Sequence, residues 1–134
     1  MPVAATDLLA AARTARARAY APYSQFPVGA ALLTQTNEVI VGVNVENASY
    51  PLSMCAERTA LFAAMAQGHR VFRSIAIVGP DGVAIAPCGA CRQALWEFGE
   101  DLVIVREGQP DVRLREMLPD AFGPATLRSK DPVR

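Results

Sequence analysis

Two short stretches, SMCAERTA at residues 53–60 and APCGACRQ at residues 86–93, carry all three cysteines of the chain. Each stretch reads as the start of a helix. Two cysteines three positions apart lie on the same side of a helix, and the N-termini of two helices can point at one spot. We therefore predict that the side chains of Cys55, Cys88 and Cys91 meet.

Three thiolates are the ligand number of a catalytic zinc site, which keeps its fourth position open, whereas a structural site uses four protein ligands. The chain has no fourth cysteine, and its one histidine, His69, follows Gly68 beyond a predicted helix end. Helix N-termini lower thiol pKa values and so favour metal binding. The sequence predicts one Zn²⁺ on Cys55, Cys88 and Cys91. A structural zinc site and metal-free buried cysteines are the alternatives.

Glu57 and Arg58 lie next to the first predicted ligand. Glu57 is two positions from Cys55, so on a helix the two side chains do not face each other, and Glu57 is better placed beside a bound water than on the metal. A carboxylate there can act as general base and then as general acid. Three thiolates and one Zn²⁺ sum to about minus one charge, and Arg58 can offset it by donating hydrogen bonds to sulfur.

Composition limits the classes of protein that fit. The chain has 134 residues, 51% of them hydrophobic, and no formal net charge, which suits one domain with its own core. A neutral chain lacks the basic face that binds nucleic acid. An odd number of cysteines and the lack of a secretory or membrane-spanning apolar run predict a cytoplasmic protein. The Ala- and Arg-rich segment 8–20 also fits a transit peptide, but Asp7 disfavours that reading.

Hydrophobic periodicity predicts helices that alternate with strands. The expected helices cover residues 6–20, from a cap at Ser53 to about Gln67, and from near Cys88 to near Gly99. The expected strands cover residues 27–34, 38–46, 73–79, 102–105 and 111–115, the first two as a hairpin. Residues 117–122 are expected to form one helical turn, and the chain after about residue 124 is expected to be a loose tail. The second helix is apolar nearly all round, which predicts deep burial. The alternation predicts an α/β fold with parallel connections and helices on the faces of the sheet.

The chain contains recognisable motifs in addition to the spacing of its three cysteines. Cys-Ala-Glu followed by Pro-Cys-x-x-Cys is the zinc nucleobase deaminase signature in its three-cysteine form. Several segments resemble the small homotetrameric cytidine deaminases: FPVGAA at 26–31, NVENA at 44–48, CAERTA at 55–60, PCGACRQ at 87–93 and LPDAF at 118–122. The resemblance covers about residues 8–124. It implies one cytidine deaminase-like domain, a three-layer α-β-α fold with a mixed sheet of roughly five strands, one Zn²⁺ per subunit, and a tetramer with shared active sites.

The resemblance implies a reaction as well as a fold. It implies hydrolysis of cytidine and deoxycytidine to uridine and deoxyuridine with release of ammonia, in pyrimidine salvage. Zinc-bound hydroxide would attack C4 of the pyrimidine, and Glu57 would protonate N3 and then help the amine to leave. Contacts made only to the tetrahedral state at C4 would raise the rate.

Substrate contacts also follow from the resemblance. It implies that Asn44 and Glu46 bind the ribose at its 3′-hydroxyl, that Phe26 packs against the base, and that the backbone of Ala56 reads the pyrimidine edge. It further implies that three residues reach into the pocket of a neighbouring subunit: Ala48, Tyr50 and Phe122. The residue types alone leave other interpretations open. Asn44 and Glu46 fit an exposed strand edge, since i and i+2 share one face of a strand, and Phe26 and Phe122 fit core packing.

Other functions compete with this interpretation. A deaminase of a modified cytosine nucleoside antibiotic is one, but the Asn44 and Glu46 pair favours an ordinary nucleoside. A deaminase of polynucleotide cytosine is disfavoured by the short, neutral chain. A third alternative is a non-catalytic interaction module that zinc stabilises. Such a module does not need an acid beside the metal, so Glu57 disfavours it.

Overall fold

The computed structural model describes residues 2–128, and within that range it contains five strands and five α-helices. In chain order they are α1 Ala5–Arg16, β1 Gly29–Thr34, β2 Val39–Val43, α2 Ala56–Ala66, β3 Phe72–Val78, α3 Gly89–Trp96, β4 Val103–Val105, β5 Val112–Arg113, α4 Leu114–Met117 and α5 Pro124–Arg128. Short 3₁₀ turns lie at Tyr50–Leu52 and Pro80–Gly82. No helix among the described residues is long and apolar enough to cross a bilayer.

The five strands form one mixed sheet in the order β2-β1-β3-β4-β5. β1 pairs antiparallel with both β2 and β3, β3 pairs parallel with β4, and β4 pairs antiparallel with β5. β2, β3 and β4 therefore run in one direction, and α2 and α3 make the crossovers between them. The predicted hairpin and the predicted parallel connections are both present.

Each face of the sheet is covered by helices. Successive residues of a strand point to opposite faces, and in β1 Leu32 packs in one cluster with Leu61 of α2 and Leu95 of α3. Its neighbour Leu33 packs in a second cluster with Leu8 of α1. All six residues of β1 are buried as a result. The fold is the expected three-layer α-β-α arrangement around a mixed sheet.

Two glycines let the helices approach the sheet closely. A Cβ on Gly29 would lie 2.1 Å from the carbonyl oxygen of Ala12 in α1. A Cβ on Gly42 would lie 2.4 Å from the backbone nitrogen of Ala60 and 2.5 Å from the carbonyl oxygen of Ala56. Because real Cβ contacts are never this short, β2 needs glycine where the first turns of α2 cross it.

Two predicted helix limits are wrong, and backbone pairing explains both. The first helix ends at Arg16 rather than at Tyr20, because the backbone of Tyr20 bonds to the segment after β2 at both Asn44 and Glu46. Ser53 is not the cap of α2, which begins at Ala56 with Cys55 as its N-cap. The hydroxyl oxygen of Ser53 instead accepts from the backbone nitrogen of Asn47 at 3.0 Å.

Other limits also differ. The second strand ends at Val43 rather than at residue 46, although Val45 still makes isolated bridges. The helical turn expected at 117–122 lies at Leu114–Met117. α2 is less buried than expected, since the side chain of Phe62 is 50% exposed. α5 occupies the beginning of the expected loose tail, and the rest of that prediction, residues 129–134, lies outside the described residues.

Candidate metal centre and active site

The three cysteine sulfurs lie together where α2 and α3 begin. Cys55 is the N-cap of α2, Cys88 is the N-cap of α3, and Cys91 lies in the first turn of α3. The Sγ atoms of Cys55 and Cys88 are 3.6 Å apart, and those of Cys88 and Cys91 are 3.1 Å apart. All three Sγ atoms lie within 4.8 Å of one another, and none takes part in a disulfide within the described chain.

The sulfur triangle fits a zinc ion. Zn–S bonds of about 2.3 Å in tetrahedral geometry separate neighbouring sulfurs by about 3.8 Å. The Cys55–Cys88 distance of 3.6 Å is close to this value, and the Cys88–Cys91 distance of 3.1 Å is shorter. Cys91 is buried and Cys88 is exposed, so an ion on these sulfurs would rest against the core and face outward on one side. Three protein ligands with one free direction is the ligand set of a catalytic zinc site.

The pKa values of the thiols show what a cation would change. Burial raises the pKa of Cys91 and that of Cys55 above the ordinary range of a thiol. Burial alone would raise the pKa of Cys88 as well, but its hydrogen bonds with the thiol and the backbone nitrogen of Cys91 outweigh it and lower that pKa. A bound divalent cation favours the thiolate form of all its sulfur ligands. A cation bound by these sulfurs would therefore displace protons from Cys55 and Cys91.

Arg58 brings positive charge to the sulfurs. Its Nη2 donates to the Sγ of Cys55 at 3.4 Å, and this hydrogen bond raises the pKa of the guanidinium, which stays charged. Its Nε is buried and has no hydrogen-bond partner among the described residues. A charged donor next to the sulfur of Cys55 is the arrangement expected for offsetting thiolate charge.

Glu57 is a buried acid at the same point. Its side chain is in the first turn of α2, the residue is 4% exposed, and its Oε2 accepts from the backbone nitrogen of Cys88 at 3.3 Å. The N-terminal end of α2 favours a negative charge there. The carboxylate thus lies between the helix starts that carry the sulfurs, with one of its oxygens held by the α3 end.

A cavity of about 400 Å³ and a cavity of about 310 Å³ adjoin at Ser24, which lines both. The smaller cavity opens on the sulfur cluster and is mostly apolar. Its lining consists of Ser24, Phe26, Val28, Asn44, Cys55, Ala56, Glu57, Ile85, Ala86 and Cys88. The larger cavity is lined by Tyr23, Ser24, Glu46, Tyr50 and Ser53. Apolar walls with a few converging polar groups are typical of small-molecule sites.

Asn44 and Glu46 hold one loop in place. The Oδ1 of Asn44 accepts from the backbone nitrogen of Val28 at 2.9 Å, and its Nδ2 donates to the carbonyl oxygen of Phe26 at 2.8 Å. The Oε1 of Glu46 accepts from the backbone nitrogens of Tyr23 and Ser24 at 2.9 and 3.1 Å. Both residues lie after β2 rather than within it. The two predicted sugar contacts therefore also shape the loop that presents Phe26.

The structure brings together only part of the predicted substrate set within one chain. Phe26, Asn44 and Ala56 line the cavity at the sulfurs, and Glu46 lines the adjoining cavity. Three residues were predicted to serve a neighbouring subunit: Ala48, Tyr50 and Phe122. Of these, Tyr50 lines the larger cavity of its own chain, while Ala48 and Phe122 line neither cavity.

Sequence reasoning missed Ser24 and Ile85 as lining residues. Ser24 lies in a polar loop that also reads as an ordinary turn, so no local signal marks it. Ile85 follows the turn at Pro80–Gly82 and pairs with Ile77 through its backbone, which an alternation of apolar residues alone does not reveal.

Comparison with known proteins agrees with this geometry. Residues 3–107 match the family model described as the cytidine and deoxycytidylate deaminase zinc-binding region. The chain therefore belongs to the cytidine and deoxycytidylate deaminase family. The resemblance drawn from the sequence motifs is confirmed.

Relatives cover nearly the whole chain. A cytidine deaminase of Sporosarcina psychrophila is 42% identical over 125 residues, which are 90% of this chain and 92% of the relative. One of Halalkalibacterium halodurans is 47% identical over 120 residues, covering 86% and 91%. The crystal structure of cytidine deaminase from Mycobacterium tuberculosis aligns with a TM-score of 0.84 at 43% identity, covering 88% of this chain and 96% of that one. The structure from Burkholderia pseudomallei aligns with a TM-score of 0.78 at 50% identity, covering 87% and 98%.

Proposed function

We propose that the chain is a zinc-dependent cytidine deaminase that hydrolyses cytidine and deoxycytidine to uridine and deoxyuridine and releases ammonia. The observation that carries the proposal is the triangle of sulfurs with a buried carboxylate beside it, at the wall of a cavity of about 310 Å³. Relatives named cytidine deaminases, at 42% and 47% identity, support the same reaction.

Cys55, Cys88 and Cys91 would hold the ion. Bound Zn²⁺ supplies a water of lowered pKa as the nucleophile. Glu57 takes one proton from the attacking water and delivers it to N3 of the pyrimidine, and then passes the second proton of that water, from the new hydroxyl at C4, to the departing amine. Its burial and its contact with the backbone of Cys88 support this role, because they restrict where the carboxylate can point.

The base binds in the cavity at the sulfurs. Phe26 packs against the ring, and the backbone of Ala56 reads the polar edge. Ala56 is fully buried and is the first residue of α2, so its backbone nitrogen has no acceptor within the helix. That supports its use toward a ligand.

The ribose binds toward the second cavity, with Asn44 and Glu46 as its partners. Asn44 has one amide hydrogen and one carbonyl lone pair left after its two backbone contacts. A hydrogen bond from Ser24 lowers the pKa of Glu46, which therefore stays an ionised acceptor at neutral pH. The remaining donor and acceptor of Asn44 and the carboxylate of Glu46 can form hydrogen bonds with the hydroxyl groups of a sugar.

We further propose that the working form is a homotetramer in which a neighbouring chain adds Ala48, Tyr50 and Phe122 to each site. The support is exposed apolar surface: Leu52 is 66%, Tyr50 69% and Phe122 57% exposed in one chain. Exposed apolar surface of this kind is typical of protein contacts. We also propose that the enzyme is cytoplasmic and serves pyrimidine salvage; three unpaired cysteines fit the reducing conditions of that compartment.

A single ultraviolet-monitored assay tests the reaction. The purified zinc-containing protein is incubated with cytidine, deoxycytidine, cytosine, CMP and a short cytosine-containing DNA. We expect loss of the cytosine absorbance with the two nucleosides only, and loss of that activity on chelation. Turnover of DNA or CMP in preference would contradict the proposed substrate class. Bound zinc without any turnover would indicate a zinc-stapled interaction module instead.

A further inference from the structure

The loop of residues 23–26 connects the two cavities. Gln25 adopts a φ of 54°, in the left-handed region that residues other than glycine rarely occupy, and its backbone nitrogen donates to the carbonyl oxygen of Ala21 at 3.0 Å. Directly before this bend, the backbone nitrogens of Tyr23 and Ser24 donate to Oε1 of Glu46. A strained bend that is held by specific partners often belongs to a binding site.

Ser24 is the only residue of this loop among the lining residues of both described cavities, and its hydroxyl has two partners. The hydroxyl donates to Oε2 of Glu46. The oxygen of the Ser24 hydroxyl also accepts a hydrogen bond from the backbone nitrogen of Phe26 at 3.0 Å. One hydroxyl therefore connects the predicted sugar partner to the predicted base partner.

The hydrogen bonds use all but one of the acceptor sites of the Glu46 carboxylate. A carboxylate has about four acceptor sites, two on each oxygen. Oε1 accepts two backbone N–H groups, and Oε2 accepts the hydroxyl of Ser24. Among residues 2–128, one acceptor site is left without a donor, on Oε2 next to Ser24. A sugar hydroxyl that binds Glu46 is thereby directed to one oxygen in one orientation.

We propose that Ser24 is a positioning residue for the nucleoside sugar, fixing Glu46 so that Oε2 receives the 3′-hydroxyl. This inference rests on the proposed deaminase function. Ser24 acts through Glu46, so its removal affects recognition of the sugar more than the chemical step.

The test uses the pair Ser24→Ala and Ser24→Thr, the second of which keeps a hydroxyl. KM and kcat are measured with deoxycytidine, and 2′,3′-dideoxycytidine, which lacks the 3′-hydroxyl, is measured as a competitor. In Ser24→Ala we expect KM for deoxycytidine to rise about tenfold with kcat within about twofold, as for the loss of one hydrogen bond to a charged group. Competition by dideoxycytidine should change by less than about twofold, and Ser24→Thr should restore KM.

A loss of the same size for both nucleosides would overturn the inference, because a general structural defect does not sense the 3′-hydroxyl. A second check is the double variant Ser24→Ala with Glu46→Gln, which should bind deoxycytidine about as weakly as Glu46→Gln alone. Additive losses would mean that Ser24 does not act through Glu46. Inactivity of the unmodified protein on every nucleoside overturns the proposed function as well, whereas an active protein indifferent to Ser24→Ala overturns the inference alone.

Discussion

At the scale of single residues, the centre separates tasks that lie next to one another in the sequence. Cys55 offers sulfur, Ala56 offers backbone, Glu57 offers a buried carboxylate, and Arg58 donates to sulfur at 3.4 Å. The neighbours can differ in this way because consecutive helix residues project about 100° apart and so do not share one face. Four neighbouring residues thus bring four different groups to the start of α2.

Replacing Glu57 by Gln tests its role in proton transfer. Gln has nearly the same shape and can occupy the same buried position, but it does not accept a proton. We expect zinc content and melting temperature to be retained while kcat falls by about a thousandfold or more. Metal analysis and a deamination assay on the same preparation measure this. Activity close to that of the unmodified protein would exclude Glu57 as the acid and base.

Replacing Arg58 by Gln tests the charge balance of the centre. The variant removes the cation that donates to the sulfur of Cys55. We expect zinc affinity or kcat to fall about 10- to 100-fold, the usual effect of losing a partner of a metal ligand. Competition with a chelator measures the affinity. Arg18→Gln, at an exposed position on the chain after α1, is the matched control, and equal effects of the two variants would contradict the proposed role.

The residue types and spacing of the centre could be predicted from the sequence, because cysteines at two helix starts define a local pattern. The contacts of Ser24 and Asn44 could not. They depend on the loop at 23–28 lying against the segment at 44–46, and that proximity arises from the pairing of Tyr20 with the backbone beyond β2. Polar side chains that bond to distant backbone leave no periodic signal.

At the scale of elements, the start of α2 decides the position of the site. A cap at Ser53 would have put Cys55 inside the helix. The observed start makes Cys55 the N-cap, because Met54 forms an antiparallel bridge with Val45 and stays extended. The prediction from sequence failed here because a serine before an apolar run is a good local cap, and only the tertiary bridge overrides it.

Gly42→Ala tests the packing that holds α2. The new Cβ would meet the backbone of Ala60 and Ala56 at 2.4 and 2.5 Å, and backbone cannot rotate away as a side chain can. We expect a loss of about 1–3 kcal/mol in the free energy of unfolding and weaker zinc binding, because the start of α2 is displaced. Urea unfolding and metal analysis measure both effects. Gly89→Ala, where a Cβ meets nothing within 4 Å, is the control for stability, and an equal loss there would contradict the explanation.

At the scale of the whole molecule, several large apolar side chains of the described chain are exposed to solvent. The all-round apolar pattern of α2 predicted burial, yet Phe62 is 50% exposed, and Leu52, Tyr50 and Phe122 are more exposed still. A helix that is apolar on every side fits a molecule that is covered on that side by another chain. If the proposed tetramer forms, the apolar pattern of α2 belongs to a contact between chains as well as to the core of one subunit.

Mixed oligomers test whether sites are shared. Phe122 lines neither of the two cavities that meet at Ser24 in its own chain, so in the proposed tetramer Phe122→Ala should lower kcat/KM about tenfold or more through a neighbour, with zinc content unchanged. Chains carrying Glu57→Gln are inactive but retain Phe122. Refolding the two variants together should therefore restore part of the activity of the Phe122→Ala chains.

The control for that experiment mixes Phe122→Ala with a chain that carries both substitutions, in which no subunit can supply the missing ring. Equal activity in the two mixtures would show that Phe122 does not serve a neighbour. A monomer with full activity, measured by light scattering and turnover together, would contradict the tetramer as well.

The two sides of the sulfur centre belong to distant parts of the chain, since 33 positions separate Cys55 from Cys88, and α2 and β3 lie between them. An ion held by both is a cross-link that closes this loop, much as a disulfide does. Closing a loop of that length lowers the entropy of the unfolded chain by an amount worth roughly 4 kcal/mol in the disulfide model. The catalytic ion would then also stabilise the fold around β3, the middle strand of the sheet. A cell that lacks zinc would therefore lose this protein by unfolding and proteolysis as well as by loss of activity.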